Sequence, residues 1–259
     1  MIYYKTEEEI ELLRESNLLV GQTLAEVGKL VQPGVTTKKI DQVAEEFIRD
    51  HGAVPGFKGY EGFPGSLCIS VNEQVVHGIP SDDVVLNEGD IVSIDCGVYK
   101  NSYNGDCAFT FAVGEVDEDK QRLMQATREA LYKGIEQAVA GNRVGDIGYA
   151  VQNHVRQYGF SVVREMVGHG VGKSLHEEPQ IPNYGKRGRG SQLKSGLVIA
   201  IEPMINLGKR NIIQSKDGWT ILAADKKPSA HYEHTIAVRK DQADILSSFD
   251  YVDEVLVKK

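Results

Sequence analysis

The chain has 259 residues, 41% of them hydrophobic, enough length and apolar content to bury a core and to argue against disorder. Its 29 basic and 37 acidic residues give a formal charge of -8, which excludes a general attraction to nucleic acid phosphates or anionic membranes. The opening Met1-Ile2-Tyr3-Tyr4-Lys5 runs into acidic residues without the apolar core of a signal peptide, and no run reaches the length of a membrane span, so a cytoplasmic protein is expected.

Thr6 followed by Glu9 reads as a capping box, and Ile10, Leu13, Val20, Leu24, Val27 and Val31 keep helical spacing up to Pro33-Gly34. A second helix is expected from Thr36 or Thr37, with Ile40, Val43, Ala44, Phe47 and Ile48 on one face and Gly52 as its stop. Cys68, Cys96 and Cys107 form no CxxC pair and no even-numbered framework, which suits a reducing compartment.

Next comes a β-hairpin: Asp90 to Val98, a polar tip Tyr99-Lys100-Asn101-Ser102, and Tyr103 to Val113. Pairing Val98 with Tyr103 sets Asp95 opposite Asp106, with Cβ atoms about 4.5–5.5 Å apart. At an effective dielectric of about 20 such charges repel by about 3 kcal/mol, so one carboxyl should protonate or a cation should lie between them. Ser93, Ala108 and Thr110 share the acidic face and keep it roomy, while Ile94, Phe109 and Phe111 point elsewhere.

The arrangement then recurs. Residues from about Glu118 to Val139 read as a third helix, and Gly141 to Gly159 repeats Gly34 to Gly52 without a gap, at an offset of 107 positions. Gly89 and Gly196 keep that offset, and Ile91-Val92-Ser93-Ile94-Asp95 aligns with Val198-Ile199-Ala200-Ile201-Glu202. An acidic residue thus ends an apolar strand in each half. The strand Leu197 to Met204 sets Ala200 beside Glu202, and His231 to Val238 aligns Glu233 with Thr235 and Ala237. These segments supply almost no basic partner for Asp95, Asp106, Glu202 and Glu233, so a dinuclear metal site is the better reading. His169, in Gly168-His169-Gly170-Val171-Gly172, is the candidate nitrogen ligand, its glycines letting backbone pass close to the site. Oxygen-rich ligation with one imidazole suits two divalent ions of the Mn, Fe or Co kind, with Zn also compatible, and disfavours structural zinc.

These residues, with His176-Glu177-Glu178-Pro179, Ile201-Glu202-Pro203-Met204, His231-Tyr232-Glu233-His234-Thr235 and the Cys68 to Pro80 stretch ending Val76-His77-Gly78-Ile79-Pro80, make the chain resemble type I methionine aminopeptidases over nearly its whole length. The resemblance implies the α/β pita-bread fold, a pseudo-twofold duplicated, antiparallel-rich sheet covered by two helix pairs. One catalytic domain, 1–259, is expected, with halves of about 1–115 and 116–259. It also implies removal of N-terminal methionine from nascent proteins and peptides, preferably before a small second residue. Asp95 would chelate one metal, His169 and Glu202 the other, and Asp106 and Glu233 would bridge both, with a water held between the ions to attack the scissile carbonyl. Glu202 would accept a proton, His77 would contact the amide nitrogen near the leaving group, and His176 would stabilise the tetrahedral oxygen. Tyr60, Phe63, Cys68, Leu175 and Trp219 would surround the methionine side chain. Leu175 stands where bacterial relatives usually carry phenylalanine, and Phe57 and Phe63 where cysteine and tyrosine are often found.

Other classes are less well supported. A cysteine hydrolase built on Cys68 and His77 lacks a local signature, there is no HExxH or G-x-S-x-G string, and the glycines around His169 are not a dinucleotide fingerprint. Proline-specific aminopeptidases and dipeptidases share the fold and metal set but usually carry an added N-terminal domain. A ligand-free relative that only binds protein or nucleic acid would have lost ligands that are all present here. Lys186-Arg187-Gly188-Arg189-Gly190 reads as a solvated loop, with contact to ribosomal RNA near emerging chains left open. A monomer without specific nucleic acid or membrane partners is expected.

Overall fold

A computed structural model describes residues 1–258. In the first half, helices α1 (Glu7–Gly28) and α2 (Thr37–Asp50) precede strands β1 (Val54–Pro55), β2 (Leu67–Val71), β3 (Gln74–Val76), β4 (Ile91–Lys100) and β5 (Tyr103–Ala112). The second half opens on α3 (Glu118–Ile135) and α4 (Val144–Arg156), followed by β6 (Ser161–Val162), β7 (Gly168–Gly170), β8 (Glu177–Ile181), β9 (Val198–Ile201) and β10 (Met204–Asn206). The pair β11 (Ile212–Gln214) and β12 (Ile221–Ala223) leads to β13 (Ser229–His231), β14 (His234–Ala237), β15 (Asp244–Ile245) and a closing helix α5 (Asp250–Leu256). No helix among the described residues is long and apolar enough to cross a membrane.

The capping box is formed: the Thr6 side chain accepts from Glu9 N–H while the Glu9 carboxylate accepts from Thr6 N–H. Both long helices stop short of their expected ends. After Gly28 the chain tightens, with Lys29 N–H bonding Glu26 C=O at 3.3 Å and Leu30 N–H bonding Val27 C=O at 2.9 Å, before Pro33 forbids continuation. After Ile135 the same happens, Ala138 N–H bonding Ile135 C=O at 2.9 Å.

The duplication is visible in the backbone. Gly34 and Gly141 have φ of 88° and 102°, Gly52 and Gly159 have 69° and 80°, and Gly89 and Gly196 have 84° and 86°. Equivalent turns are therefore wound in the same left-handed conformation in both halves. One buried cluster joins them, holding Val20, Leu24, Ile40 and Ile94 from the first half and Leu131, Ile135, Ile147 and Ile201 from the second.

The hairpin corrects the expected register. Lys100 pairs with Tyr103, so Asp95 lies opposite Ala108 and Asp106 opposite Gly97. The tip is only Asn101-Ser102, with φ of 51° and 68°, the two-residue type I′-like turn whose twist matches that of the strands. Period-two alternation still leaves Asp95 and Asp106 on one face, as diagonal rather than direct neighbours.

The expected strands 197–204 and 231–238 are each interrupted. Pro203 has no N–H to donate, and the chain breaks between β9 and β10 at Glu202-Pro203. Between β13 and β14, the Glu233 N–H turns away from its own sheet and bonds the Ala108 C=O of β5 at 2.9 Å. A seam forms there: Thr110 Oγ1 donates to His231 C=O at 2.7 Å, and Thr235 Oγ1 donates to Asp106 C=O at 2.8 Å. Each half thus presents a carboxylate at this seam, Asp106 from β5 and Glu233 from the break between β13 and β14.

Candidate active site

The seam opens into a cavity of about 450 Å³ lined by the expected acidic residues Asp95, Asp106, Glu202 and Glu233. Asp106 is held from both sides. Its N–H donates to Asn17 Oδ1 of α1 at 3.1 Å, and its C=O accepts from Thr235. His169 sits on β7, where Gly168 and Gly170 are required by close approach. A Cβ at Gly168 would come within 2.4 Å of Ala200 O, and one at Gly170 within 2.5 Å of Glu178 O.

His169 Nδ1 lies 2.9 Å from Gly170 C=O, an acceptor only, so Nδ1 carries the proton and Nε2 presents its lone pair. That lone pair lies 3.6 Å from Asp106 Oδ2 and 3.6 Å from Glu202 Oε1. Burial, then the neighbouring His176, pushes the His169 imidazole down to about 3, so it faces the carboxylates as a neutral base. Ligand atoms of Asp106, His169 and Glu233 all fall within 4.8 Å of one another.

Burial, and then mutual repulsion, disfavour the ionised form of these carboxyls. Burial raises Asp95 to about 7, and burial together with Asp95 and Glu202 pushes Asp106 well up. Glu202 is raised by burial and then by Asp95, and Glu233 by burial and then by Asp106, Glu202 and Asp95. Asp95 Oδ1, Asp106 Oδ1 and Glu233 Oε1 are buried without a hydrogen-bond partner, and among the described residues no lysine or arginine lines the cavity. Unpartnered carboxyl oxygens converge here without a lysine or arginine counter-charge among the described residues, the ligand set that a hard or borderline divalent ion satisfies. The residues present therefore fit a metal.

Beside the acidic floor lies an apolar wall. Phe57, Phe63, Cys68 and Leu175 form one buried cluster, with Tyr60, Ile79 and Trp219 packed against it. Phe63 meets Trp219 edge-on at 5.2 Å between ring centroids. Cys68 pairs directly across from Asp95, and burial followed by that carboxylate pushes its thiol well up, so it is a small apolar group and not a thiolate nucleophile.

The imidazoles of His77 and His176 also line the cavity. His77 has φ of 60°, a left-handed conformation unusual for a residue with a side chain, and burial lowers it to about 4. His176 Nδ1 lies 2.8 Å from the Tyr60 hydroxyl, and its ring centroid is 4.3 Å from that of His169. Every candidate residue from the sequence thus lines this one cavity. Sequence reasoning did not single out His231, buried with its Nε2 at 3.7 Å from Glu202 Oε2, nor Met166, Gln180 and Met204 on the cavity wall. Only the position of His231, two residues before Glu233, hinted at the site.

The sequence from residue 11 to 240 matches the model of metallopeptidase family M24. The chain is 48% identical to a methionine aminopeptidase of Clostridium acetobutylicum over 247 residues, covering 95% of this chain and 99% of that one. It is 50% identical to methionine aminopeptidase 1 of Bacillus subtilis over 247 residues, with the same coverage of 95% and 99%. Its fold superposes on the crystal structure of a methionine aminopeptidase from Rickettsia prowazekii with a TM-score of 0.94 at 42% identity, covering 96% of this chain and 100% of that chain. The architecture is accordingly the pita-bread fold.

Proposed function

The chain belongs to metallopeptidase family M24, as a methionine aminopeptidase of bacterial type that removes N-terminal methionine, and from that premise we propose how its cavity performs the reaction. Membership implies divalent metal binding. In the proposal two ions per chain would be held by these residues, Asp95 serving one, His169 and Glu202 the other, and Asp106 and Glu233 being shared. The observation that carries this reading is the Nε2 lone pair of His169, which faces two carboxylates in a cavity that no lysine or arginine among the described residues lines.

When bound, divalent ions would supply Lewis acidity toward the scissile carbonyl and an acidified water as nucleophile. The remaining work falls to the chain's own groups. Glu202 takes up the proton released during attack, a role suited to a carboxyl whose affinity for protons is raised by burial. With the Tyr60 hydroxyl donating to Nδ1, His176 turns an Nε2–H toward the cavity, where it stabilises negative charge on the tetrahedral oxygen. His77 contacts the amide nitrogen at the leaving side. Tyr60, Phe63, Cys68, Leu175 and Trp219 receive the methionine side chain, whose thioether packs well on aromatic edges. The gap between His77 and His176 is where the second residue passes, which favours a small one.

The proposed working unit is the whole chain, 1–259, as one catalytic domain whose halves of about 1–115 and 116–259 contribute ligands together. It acts as a cytoplasmic monomer on the N-termini of emerging polypeptides, with transient ribosome contact through its basic surface loops. The deciding experiment reloads metal-free protein with Mn, Fe, Co or Zn and assays Met-Ala-Ser against Ala-Pro peptides. Methionine release restored by metal is the expected result. Preferential cleavage before proline would transfer the chain to the proline-specific branch of the fold, and no cleavage with any ion would end the metallopeptidase reading.

A further inference from the structure

The imidazole of His231 has no part in the chemistry above, yet it is 1% exposed and its Nε2 is buried without a hydrogen-bond partner. Its backbone is fixed twice by one side chain. The His231 N–H donates to Thr110 Oγ1 at 3.0 Å, and that hydroxyl donates to the His231 C=O at 2.7 Å. His231 pairs with Met204 across β10 and β13, two residues beyond Glu202. The ring thereby reaches the far side of the Glu202 carboxylate, with Nε2 at 3.7 Å from Oε2, while Oε1 faces His169 Nε2 at 3.6 Å. Glu202 therefore stands between imidazoles, one on each oxygen. His169 presents a lone pair, because its own Nδ1 proton is committed to Gly170.

We propose that His231 is a positioning residue for Glu202, donating its Nε2–H to Oε2 so that Oε1 stays on the His169 side. A distance of 3.7 Å is not yet a hydrogen bond, but a buried donor without an acceptor and a carboxylate oxygen facing it are complementary groups. Such contacts tighten when an active site is filled. A neutral imidazole has one donor and one acceptor nitrogen, and only the Nε2–H tautomer suits a carboxylate oxygen. The consequence is orientational: a carboxylate pinned at one oxygen cannot swing both into the centre, so ligation and proton acceptance stay on a single atom. This inference rests on the assignment of Glu202 as ligand and proton acceptor.

The test compares His231→Leu with His231→Gln, whose amide N–H can replace the donor. His231→Leu should lower kcat on Met-Ala-Ser by about tenfold to a hundredfold with KM within about twofold. Calorimetric titration of the metal-free protein with Mn should show affinity weakened by a similar factor, and His231→Gln should recover most of both losses. Thermal melting checks folding, and His231→Asn, too short to reach Oε2, replaces the leucine variant should that one not fold. The double variant Glu202→Gln/His231→Leu should bind Mn no more weakly than Glu202→Gln alone, because the histidine acts through that carboxylate. Unchanged kcat and affinity in His231→Leu, a glutamine variant as impaired as the leucine one, or additive losses in the double variant would each overturn the proposal. Should the parent release no methionine, the functional assignment falls, while the titrations, which need no turnover, still decide the role of His231.

Discussion

Asp106 carries the sharpest conflict between stability and function in the molecule. Its carboxyl is buried beside Asp95 and Glu202, its Oδ1 has no partner, and both neighbours push its proton affinity up. Replacing it by asparagine removes a proposed bridging ligand. Asp106→Asn is expected to lose at least about a hundredfold in kcat/KM and to lower the metal content measured by plasma mass spectrometry. In the metal-free protein the same change relieves repulsion, so the variant should melt above the metal-free parent, by about 2–4 °C per kcal/mol relieved. A metal-free variant that melts below its parent would show that these carboxylates are not in tension. Residues of this kind were legible in the sequence because the chemistry is written in residue type: an aspartate or glutamate in an apolar strand with no basic neighbour asks for a cation. His231 was not legible. Its importance lies in an empty hydrogen-bonding direction, which only the packing of Thr110 and Met204 creates.

Between residue and molecule, the helices and the hairpin were expected from the sequence, while register and interruptions were not. A four-residue polar tip is the natural reading of Tyr99-Lys100-Asn101-Ser102, since serine seldom adopts positive φ. The chain instead places Ser102 at φ of 68°, and the pairing shifts by two positions. Ser102→Gly should therefore stabilise the protein, by about 0.5–1 kcal/mol in urea unfolding, as the relieved left-handed strain exceeds the entropy glycine adds to the unfolded chain. A lower midpoint in the variant would mean that the serine conformation is not strained. The break at Glu202-Pro203 follows from the missing N–H of Pro203, whereas that at Tyr232-Glu233 depends on the Glu233 N–H bonding Ala108 of another sheet, information that no local window holds. A second element-level device is Asp41 on α2, whose buried Oδ1 accepts the N–H groups of Ser66 and Leu67 at 2.7 and 3.0 Å and so anchors the start of β2. Asp41→Ala leaves two buried donors unmet, and denaturant unfolding should report a loss of about 2–4 kcal/mol. Asp41→Asn, which keeps an acceptor, should lose clearly less. Equal losses in the two variants would argue that burial at this position, and not the carbonyl-type acceptor, is what matters.

At the scale of the molecule, the offset of 107 positions between glycine turns gave the duplicated architecture before any coordinates. What it could not give is the contact between the copies. The cavity's proposed ligands come from both, so bound ions should tie the halves together. Chelation by EDTA is expected to lower the melting temperature, since ligand at about a hundred times its dissociation constant adds about 2.7 kcal/mol. For a chain of this size that corresponds to about 5–10 °C, to be read by calorimetry with and without added Mn. A melting curve indifferent to chelator would place the metal outside the folding equilibrium.

The stitching of β5 to the 231–235 segment includes Glu233 N–H to Ala108, Thr110 Oγ1 to and from the His231 backbone, the Tyr232 hydroxyl to Thr110 C=O, Cys107 Sγ to Glu233 C=O, and Thr235 to Asp106. A slip of a single position along it would turn Asp106 or Glu233 out of the cavity, because side chains alternate with a period of two. The proposed pair of ions would therefore be a gauge of alignment between the copies. A substitution far away, in α2 or α4, that weakened metal affinity without touching a ligand would be read as misregistration of the two lobes, and affinity would become a ruler for motions that no chromophore reports.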